Sequence, residues 1–130
     1  MPVVPVTALY AGILAFLYFG LAYMVIRGRH RSGISLGSGG DARFERTVRA
    51  HGNFAEYVPL TLLLMGLAEL NGSAPVYIHL LGSVLLAGRL LHGWCFVFTA
   101  KNLPVRVIGM VLTFTAMVGG AGLGIAAYLG

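Results

Sequence analysis

Four long apolar segments constrain this chain more than any other feature of its sequence. They cover about residues 6–26, 48–70, 76–98 and 105–129. Each is long enough to cross a membrane, which takes roughly 20 residues of α-helix. Because backbone groups in lipid must be hydrogen-bonded within the segment, spans of this kind are helices. The sequence therefore predicts an all-α integral membrane protein, a single domain over residues 1–130 built as a four-transmembrane-helix bundle.

Basic residues lie on one side of the predicted bundle. The second loop has none, and the third has Lys101 and Arg106. Because short loops rich in Lys and Arg stay in the cytoplasm, we expect both termini on the non-cytoplasmic side. No basic residue precedes Arg27 in the first span, so we expect a retained helix and not a signal peptide. The first loop and its margins hold the other basic loop residues, which are Arg27, Arg29, Arg31, Arg43, Arg46 and Arg49.

Three further features narrow the classes of function. The formal net charge of +5 follows from this membrane topology, so a nucleic acid partner is not expected. The segment of about residues 32–42 contains SGISLGSGG, which predicts a flexible cytoplasmic loop and lacks the GK[ST] of a phosphate-binding loop. The histidines are scattered and Cys95 has no second thiol, so we expect no metal site and no intrachain disulfide.

The second span begins with polar residues, in the stretch RTVRAHGNFAEYVP at positions 46–59. Here Arg49, Asn53 and Glu56 are spaced i, i+4 and i+7, so they share one face of a helix. On the third span, Arg89, His92 and Phe96 share a face in the same way. Because a charge that faces lipid costs several kcal/mol, both faces are expected to point at protein or at a ligand.

Depth in the membrane suggests how these two faces meet. Counted at about 1.5 Å per residue from the cytoplasmic ends, Glu56 and Arg89 lie equally deep. We therefore predict a buried ion pair between them, because either charge alone would be costly. For Arg89 the alternative is a purely structural contact between two helices. Nearer the cytoplasmic end of the bundle, where many positive charges meet, lie Arg49, Asn53 and His92. This pattern indicates a site for a small polyanion with an amide backbone.

These residues also carry a family resemblance. The stretch RAHGNFAEYVPL, from Arg49 to Leu60, resembles the RxxxNxxEYxP signature of the MAPEG superfamily, the membrane-associated proteins of eicosanoid and glutathione metabolism. The GRLLH of the third span and the PVRVIGMVLT that opens the fourth extend the resemblance over nearly the whole chain. Each motif places several polar residues inside a membrane span, which makes the resemblance fairly specific.

The resemblance implies a homotrimer with glutathione bound between adjacent subunits, near the cytoplasmic side. Arg106 matches the arginine that activates the glutathione thiol. The chain has Phe96 where eicosanoid-forming members have tyrosine, and Val107 where the prostaglandin-forming member has serine. Both differences argue against a dedicated prostaglandin or leukotriene synthase. The positions that match glutathione-binding residues are Arg27, Arg49, His51, Asn53, Glu56, Tyr57, His92 and Phe96.

The activity that the resemblance implies is that of a membrane-bound glutathione transferase of a bacterial inner membrane. It would add glutathione, as co-substrate, to hydrophobic electrophiles that arrive through the bilayer, with reduction of lipid hydroperoxides as a further activity. The alternative is a non-catalytic membrane scaffold or lipid-binding protein on the same fold. A small transporter is disfavoured because the chain contains no inverted repeat.

Overall fold

The computed structural model describes residues 3–99 and 101–130, and in these residues the chain forms four α-helices. They are α1 (Pro5–Ser32), α2 (Ala42–Leu70), α3 (Pro75–Phe98) and α4 (Leu103–Leu129). The predicted all-α bundle is confirmed. By length and composition, α1, α3 and α4 qualify as membrane spans. The polar first half of α2 lowers its hydropathy below theirs.

The helix ends explain why α1 and α2 are longer than the apolar segments. The charged turn from Arg27 to Arg31 remains helical. Helix α1 is followed by its cap residue Gly33, whose φ of 66° is one that glycine adopts easily. The side chain of Asp41 caps α2 and accepts hydrogen bonds from the backbone N–H groups of Arg43 (2.8 Å) and Phe44 (3.1 Å). Hydropathy cannot detect these polar turns, because they lie outside the apolar windows.

The two central helices of the bundle are α2 and α3. Helix α1 packs against both of them, and α4 packs against α3 and α2, but α1 and α4 do not touch. Leu14, Met65, Ile78 and Leu85 form part of the buried core. Large apolar side chains such as Phe16 also cover the outer surface, as expected for a bundle that faces lipid.

Glycines allow α3 and α4 to approach until their backbones touch. A Cβ on Gly88 would lie 2.8 Å from the carbonyl oxygen of Gly109, and a Cβ on Gly109 would lie 2.9 Å from that of Gly88. Small residues at helical spacing on α4 predict close packing against a neighbouring helix. In the structure, most of them face the interior of the bundle. The buried members are Gly109, Thr113, Ala116 and Gly120. Gly124, the fifth position of that pattern, is only half-buried.

The two ends of the bundle differ in their chemistry. The end where α2 and α4 begin, and where α1 and α3 finish, is called the basic end below. At the other end, the capped end, the Glu69 carboxylate accepts hydrogen bonds from the backbone N–H groups of Val6 (2.9 Å) and Thr7 (2.8 Å). This contact ties the end of α2 to the first turn of α1. This contact is not predicted from the sequence, because Val6 and Thr7 are distant from Glu69 in the chain.

Candidate functional site

A buried arginine connects three helices in the half of the bundle nearer the basic end. The side chain of Arg89, on α3, is only 2% exposed. Its Nη1 donates a hydrogen bond of 2.7 Å to Oδ1 of Asn53 on α2. Its Nη2 lies 3.4 Å from the sulfur of Met110 on α4. Arg89 therefore sets the positions of α2, α3 and α4 relative to one another.

The predicted ion pair between Glu56 and Arg89 is not formed within the chain. Arg89 contacts Asn53 instead, and Glu56 is exposed on the outer surface of α2. The prediction combined shared helix faces with equal depth, and neither determines how the two helices are rotated toward one another. Asn53 is half-buried and lies one turn closer to the start of α2, where it meets the guanidinium group of Arg89.

The contact with Arg89 also determines what the Asn53 amide can do. The amide oxygen accepts the hydrogen bond from Arg89, and an arginine has only donors. The Nδ2 group of Asn53 therefore keeps its two N–H donors, and no residue of the described chain accepts from it. Arg89 presents Asn53 as a donor to any ligand that binds beside it.

A second group of side chains forms a stack between α3 and α4. The rings of His92 and Phe96 are stacked with their centroids 4.6 Å apart and their planes 28° apart. The guanidinium carbon of Arg106 lies 4.2 Å from the centroid of the Phe96 ring. A cation over an aromatic face is stabilised by the ring electrons, and the edge of the guanidinium stays free to donate hydrogen bonds.

The close contact between α3 and α4 places this stack. A Cβ on Gly109 would lie 2.9 Å from Cβ of His92, so only glycine lets α4 pass this close to the histidine. His92 is buried, at 3% exposure, while Arg106 is exposed. The stack therefore runs from the interior of the bundle to its surface.

The other predicted site residues lie on different surfaces of the chain. Arg49 and Glu56 are exposed on α2. His51 stacks on Tyr18 of α1, with ring centroids 4.8 Å apart. Tyr57 meets the ring of Phe114 edge-on at 5.2 Å, on the side where α2 contacts α4.

Arg27 lines a groove at the end of α1 together with residues of α2 and α3, and that groove contains none of Asn53, Arg89 and Arg106. One chain thus brings Asn53 to Arg89, and His92 and Phe96 to Arg106. It does not bring Arg27 or His51 to them. The glutathione contacts of all these residues remain predictions.

Comparison with known proteins identifies the family. The chain matches the model of the MAPEG family over residues 7–126. It is 40% identical over 91 residues to the inner membrane protein YecN of Escherichia coli K12, and the alignment covers 70% of each chain. The inner membrane protein YecN of Escherichia coli O6:H1 strain CFT073 matches with the same identity and coverage. The family match over most of the chain, together with the four-helix membrane bundle, shows that the chain belongs to the MAPEG family.

Proposed function

We propose that this protein is a membrane-bound glutathione transferase, which joins the sulfur of glutathione to hydrophobic electrophiles. One observation carries the proposal: donor groups on α2 and α4 reach the surface beside a rigid polar core and have no acidic partner in the described chain. These donors are the guanidinium groups of Arg49 and Arg106 and the Nδ2 group of Asn53. Membership of the MAPEG family, which includes glutathione transferases, supports it.

The chemistry of these side chains suits a tripeptide such as glutathione. Glutathione has two carboxylates, which pair with guanidinium groups, and two peptide units, which accept hydrogen bonds from an amide N–H. It also has one ammonium group, which pairs with a carboxylate. Arg49, Asn53 and Glu56 provide one group of each kind along one face of α2.

A homotrimer forms part of the proposal. Glu56 lies about 20 Å along α2 from its first residue, yet it is exposed on the outer surface of the single bundle. A carboxylate facing hydrocarbon at that depth costs several kcal/mol, so a second copy of the chain is expected to cover it. Arg27 and His51, on the α1 side, would then reach the glutathione of a neighbouring subunit.

The role of Arg106 follows from the acidity of thiols. A free thiol has a pKa near 8.5, and only its thiolate form is the nucleophile. Arg106 cannot accept the proton, because a guanidinium group has only hydrogen-bond donors and no acceptor. It stabilises the thiolate by charge, and the thiol proton passes to water. The thiolate sulfur then forms a bond to the electrophilic carbon, and the leaving group departs with its electron pair.

The surroundings of Arg106 favour a lipophilic electrophile. Leu103, Val107 and Ile108 are exposed on the same helix. An electrophile dissolved in the bilayer can therefore reach the thiolate along an apolar surface. We further propose that the basic end faces the cytoplasm of a bacterial inner membrane, in keeping with the positive-inside rule and with the name of the Escherichia coli relatives.

The experiment is an ultraviolet difference spectrum of the purified protein on addition of glutathione at about neutral pH, with Arg106→Ala beside the parent. We expect a thiolate absorption band in the parent and none in the variant. The rate of conjugation with a hydrophobic aryl halide should fall by about 100-fold or more, since losing one charge-stabilising group typically has this effect. Lys101→Ala, which removes an exposed cation just before α4, is the matched control and should retain both signals.

Two outcomes would contradict the proposal. If glutathione raises the thermal stability of the parent but produces no thiolate band, the site binds without activating the thiol and the protein is a scaffold or lipid-binding member. If glutathione produces neither effect, the polar residues of α2 and α3 serve only to hold the helices together.

A further inference from the structure

A groove at the basic end is lined by three arginines and contains none of Asn53, Arg89 and Arg106. It has a volume of about 330 Å³ and is formed by the end of α1, the beginning of α2 and the end of α3. Arg27 and Arg31 line it from one face of α1, one turn apart, and Arg43 lines it from the first turn of α2. The groove is thus a place where guanidinium groups from two helices converge.

These three positive charges exceed the negative charge that the described chain places in the groove. All three arginines are exposed, and none donates a side-chain hydrogen bond or forms an ion pair with a described residue. Among the described residues that line the groove, Asp41 is the one acidic residue, and its Oδ1 accepts the backbone N–H groups of Arg43 and Phe44, so three positive charges face one negative charge. Like charges placed together repel unless an anion is bound between them.

The groove also has an apolar wall at the level of the membrane surface. Tyr23 and Phe98 line it and are 54% and 67% exposed. Aromatic side chains with this exposure are typical of the boundary between headgroups and acyl chains. Phe44 and Val97 close its floor and are buried. A molecule that fits here has an anionic group beside the arginines and an apolar part beside the aromatic rings.

We propose that this groove binds the phosphate headgroup of an anionic phospholipid, with the acyl chains lying along Tyr23 and Phe98. The arginines bind the phosphate oxygens through charge-assisted hydrogen bonds, for which the planar guanidinium is well suited. Basic pockets between transmembrane helices are known to select anionic lipids in this way. Gly28, which also lines the groove, lies against the ring of Phe44 and keeps α1 and α2 close together there.

This lipid site can be tested separately from the proposed transferase function. Asn53, Arg89, His92 and Arg106 are absent from its lining. Arg27 is the only residue that the groove shares with the predicted glutathione contacts, so the test leaves it unchanged. The binding of lipid can be measured without glutathione, and its failure would leave the transferase proposal untouched.

The test is native mass spectrometry of the full chain in detergent, titrated with phosphatidylglycerol and, separately, with phosphatidylcholine. We expect the parent to bind phosphatidylglycerol preferentially. The variant Arg31→Ala/Arg43→Ala should lose about 30-fold in affinity for it, at about fivefold for each basic residue near the headgroup. Arg46→Ala/Lys101→Ala removes the same number of charges from the same end outside the groove, and should retain the parent's affinity.

Further variants and a competition experiment can overturn the lipid proposal. If the double alanine variant does not fold, Arg43→Ala alone should show about a fivefold loss, and Arg31→Lys/Arg43→Lys should retain most of the binding. Equal losses in the groove variant and the Arg46/Lys101 control would show that only bulk charge matters, and would overturn the proposal. So would equal binding of the two lipids. Displacement of phosphatidylglycerol by an excess of inorganic phosphate would indicate a soluble anion as the natural ligand.

Discussion

The two ends of the bundle treat their polar groups in opposite ways. At the capped end, the chain itself pairs two of them: Glu69 accepts from the start of α1, and the Tyr10 hydroxyl lies 2.8 Å from Oγ of Ser83 and 3.1 Å from the carbonyl oxygen of His79. At the basic end, the exposed arginines at the surface of α1, α2 and α4 have little to pair with. The capped end thus pairs its charged group within the chain, whereas the basic end leaves most of its arginines without an acidic partner in the described residues.

This difference indicates which polar groups are free to bind a ligand. A polar group in a membrane protein that is already hydrogen-bonded contributes to folding and has little left for a ligand. Groups that remain free are costly until a ligand, a lipid or a second subunit covers them. The contact between Arg89 and Asn53 combines a paired and a free group. Arg89 donates hydrogen bonds to Asn53 and Met110, while the N–H donors of the Asn53 amide stay free. We expect the two ends to respond separately to substitution.

The largest effect on stability is expected where α3 and α4 touch. In Gly88→Ala the new methyl group meets the Gly109 carbonyl oxygen, the Cβ of Leu112 and Oγ1 of Thr113, so the helices must separate. We expect unfolding to become easier by about 1–3 kcal/mol, the usual cost of overpacking. Conjugating activity should also fall, because the contact between Arg106 and Phe96 depends on this spacing. The measurements are denaturant unfolding in bicelles and the conjugation rate.

Gly122→Ala is the control for that variant, because a Cβ at Gly122 meets no atom within 4 Å. It should change stability by no more than a few tenths of a kcal/mol, or improve it slightly through helix propensity. Similar losses in both variants would mean that any methyl group on α4 or α3 is harmful. The specific importance of the Gly88 and Gly109 contact would then be refuted.

A smaller effect is expected from the contact between Asn53 and Arg89, and it should appear in ligand binding. Asn53→Ala removes the free amide donor and should weaken glutathione binding about fivefold, the value of one hydrogen bond. Arg89→Met leaves Asn53 without its fixed orientation and should also weaken binding. The double variant should be no weaker than Asn53→Ala alone, because both substitutions remove the same contact. Isothermal titration calorimetry distinguishes this result from additive losses, which would mean that Arg89 acts independently of Asn53.

At the capped end, Glu69→Gln removes the charge that faces the first turn of α1. A carboxylate at a helix N-terminus and its hydrogen bonds contribute about 1 kcal/mol, so the free energy of unfolding should fall by about that amount. Glutathione binding should not change. The comparison is Glu45→Gln, an exposed carboxylate in the first turn of α2 that has no partner in α1; it loses a charge near a helix N-terminus but no hydrogen bonds, so it should lower the free energy of unfolding by less. A change in glutathione affinity in Glu69→Gln would show that the two ends are coupled.

The smallest effect is expected for Tyr10→Phe. It removes the hydroxyl that contacts Ser83 and His79 but keeps the ring that packs over Gly82. Hydrogen bonds between transmembrane helices contribute about 0.6 kcal/mol on average, so a loss of this size is expected in unfolding measurements. Tyr128→Phe, at a side chain 89% exposed, should have no effect. Equal free energies of unfolding for the two variants would show that the Tyr10 hydroxyl does not stabilise the capped end.

Much of this architecture follows from the sequence, because the membrane leaves few options. A long apolar segment in lipid must be a helix, so hydropathy locates α1, α3 and α4. It places the start of α2 several residues late, because Asp41 and the polar first turns of the helix are not apolar. Helix spacing likewise predicts that Asn53 shares a face with Glu56.

What spacing does not determine is the contact between helices. The partner of Arg89 depends on how α2 and α3 are rotated, and this rotation is set by packing elsewhere in the bundle. For the same reason the sequence missed the Glu69 contact with α1, which joins residues 63 positions apart. A carboxylate near the end of an apolar helix was the available signal, since such a charge needs a partner.

The Glu69 contact also bears on how the chain is assembled in its membrane. The first turn of α1 has backbone N–H groups that nothing in α1 itself can satisfy. Their partner is synthesised only when the ribosome has completed most of α2. Until then, the first span has an unfinished end. The contact that completes the first turn of α1 therefore exists only once α1 and α2 are both present as a hairpin.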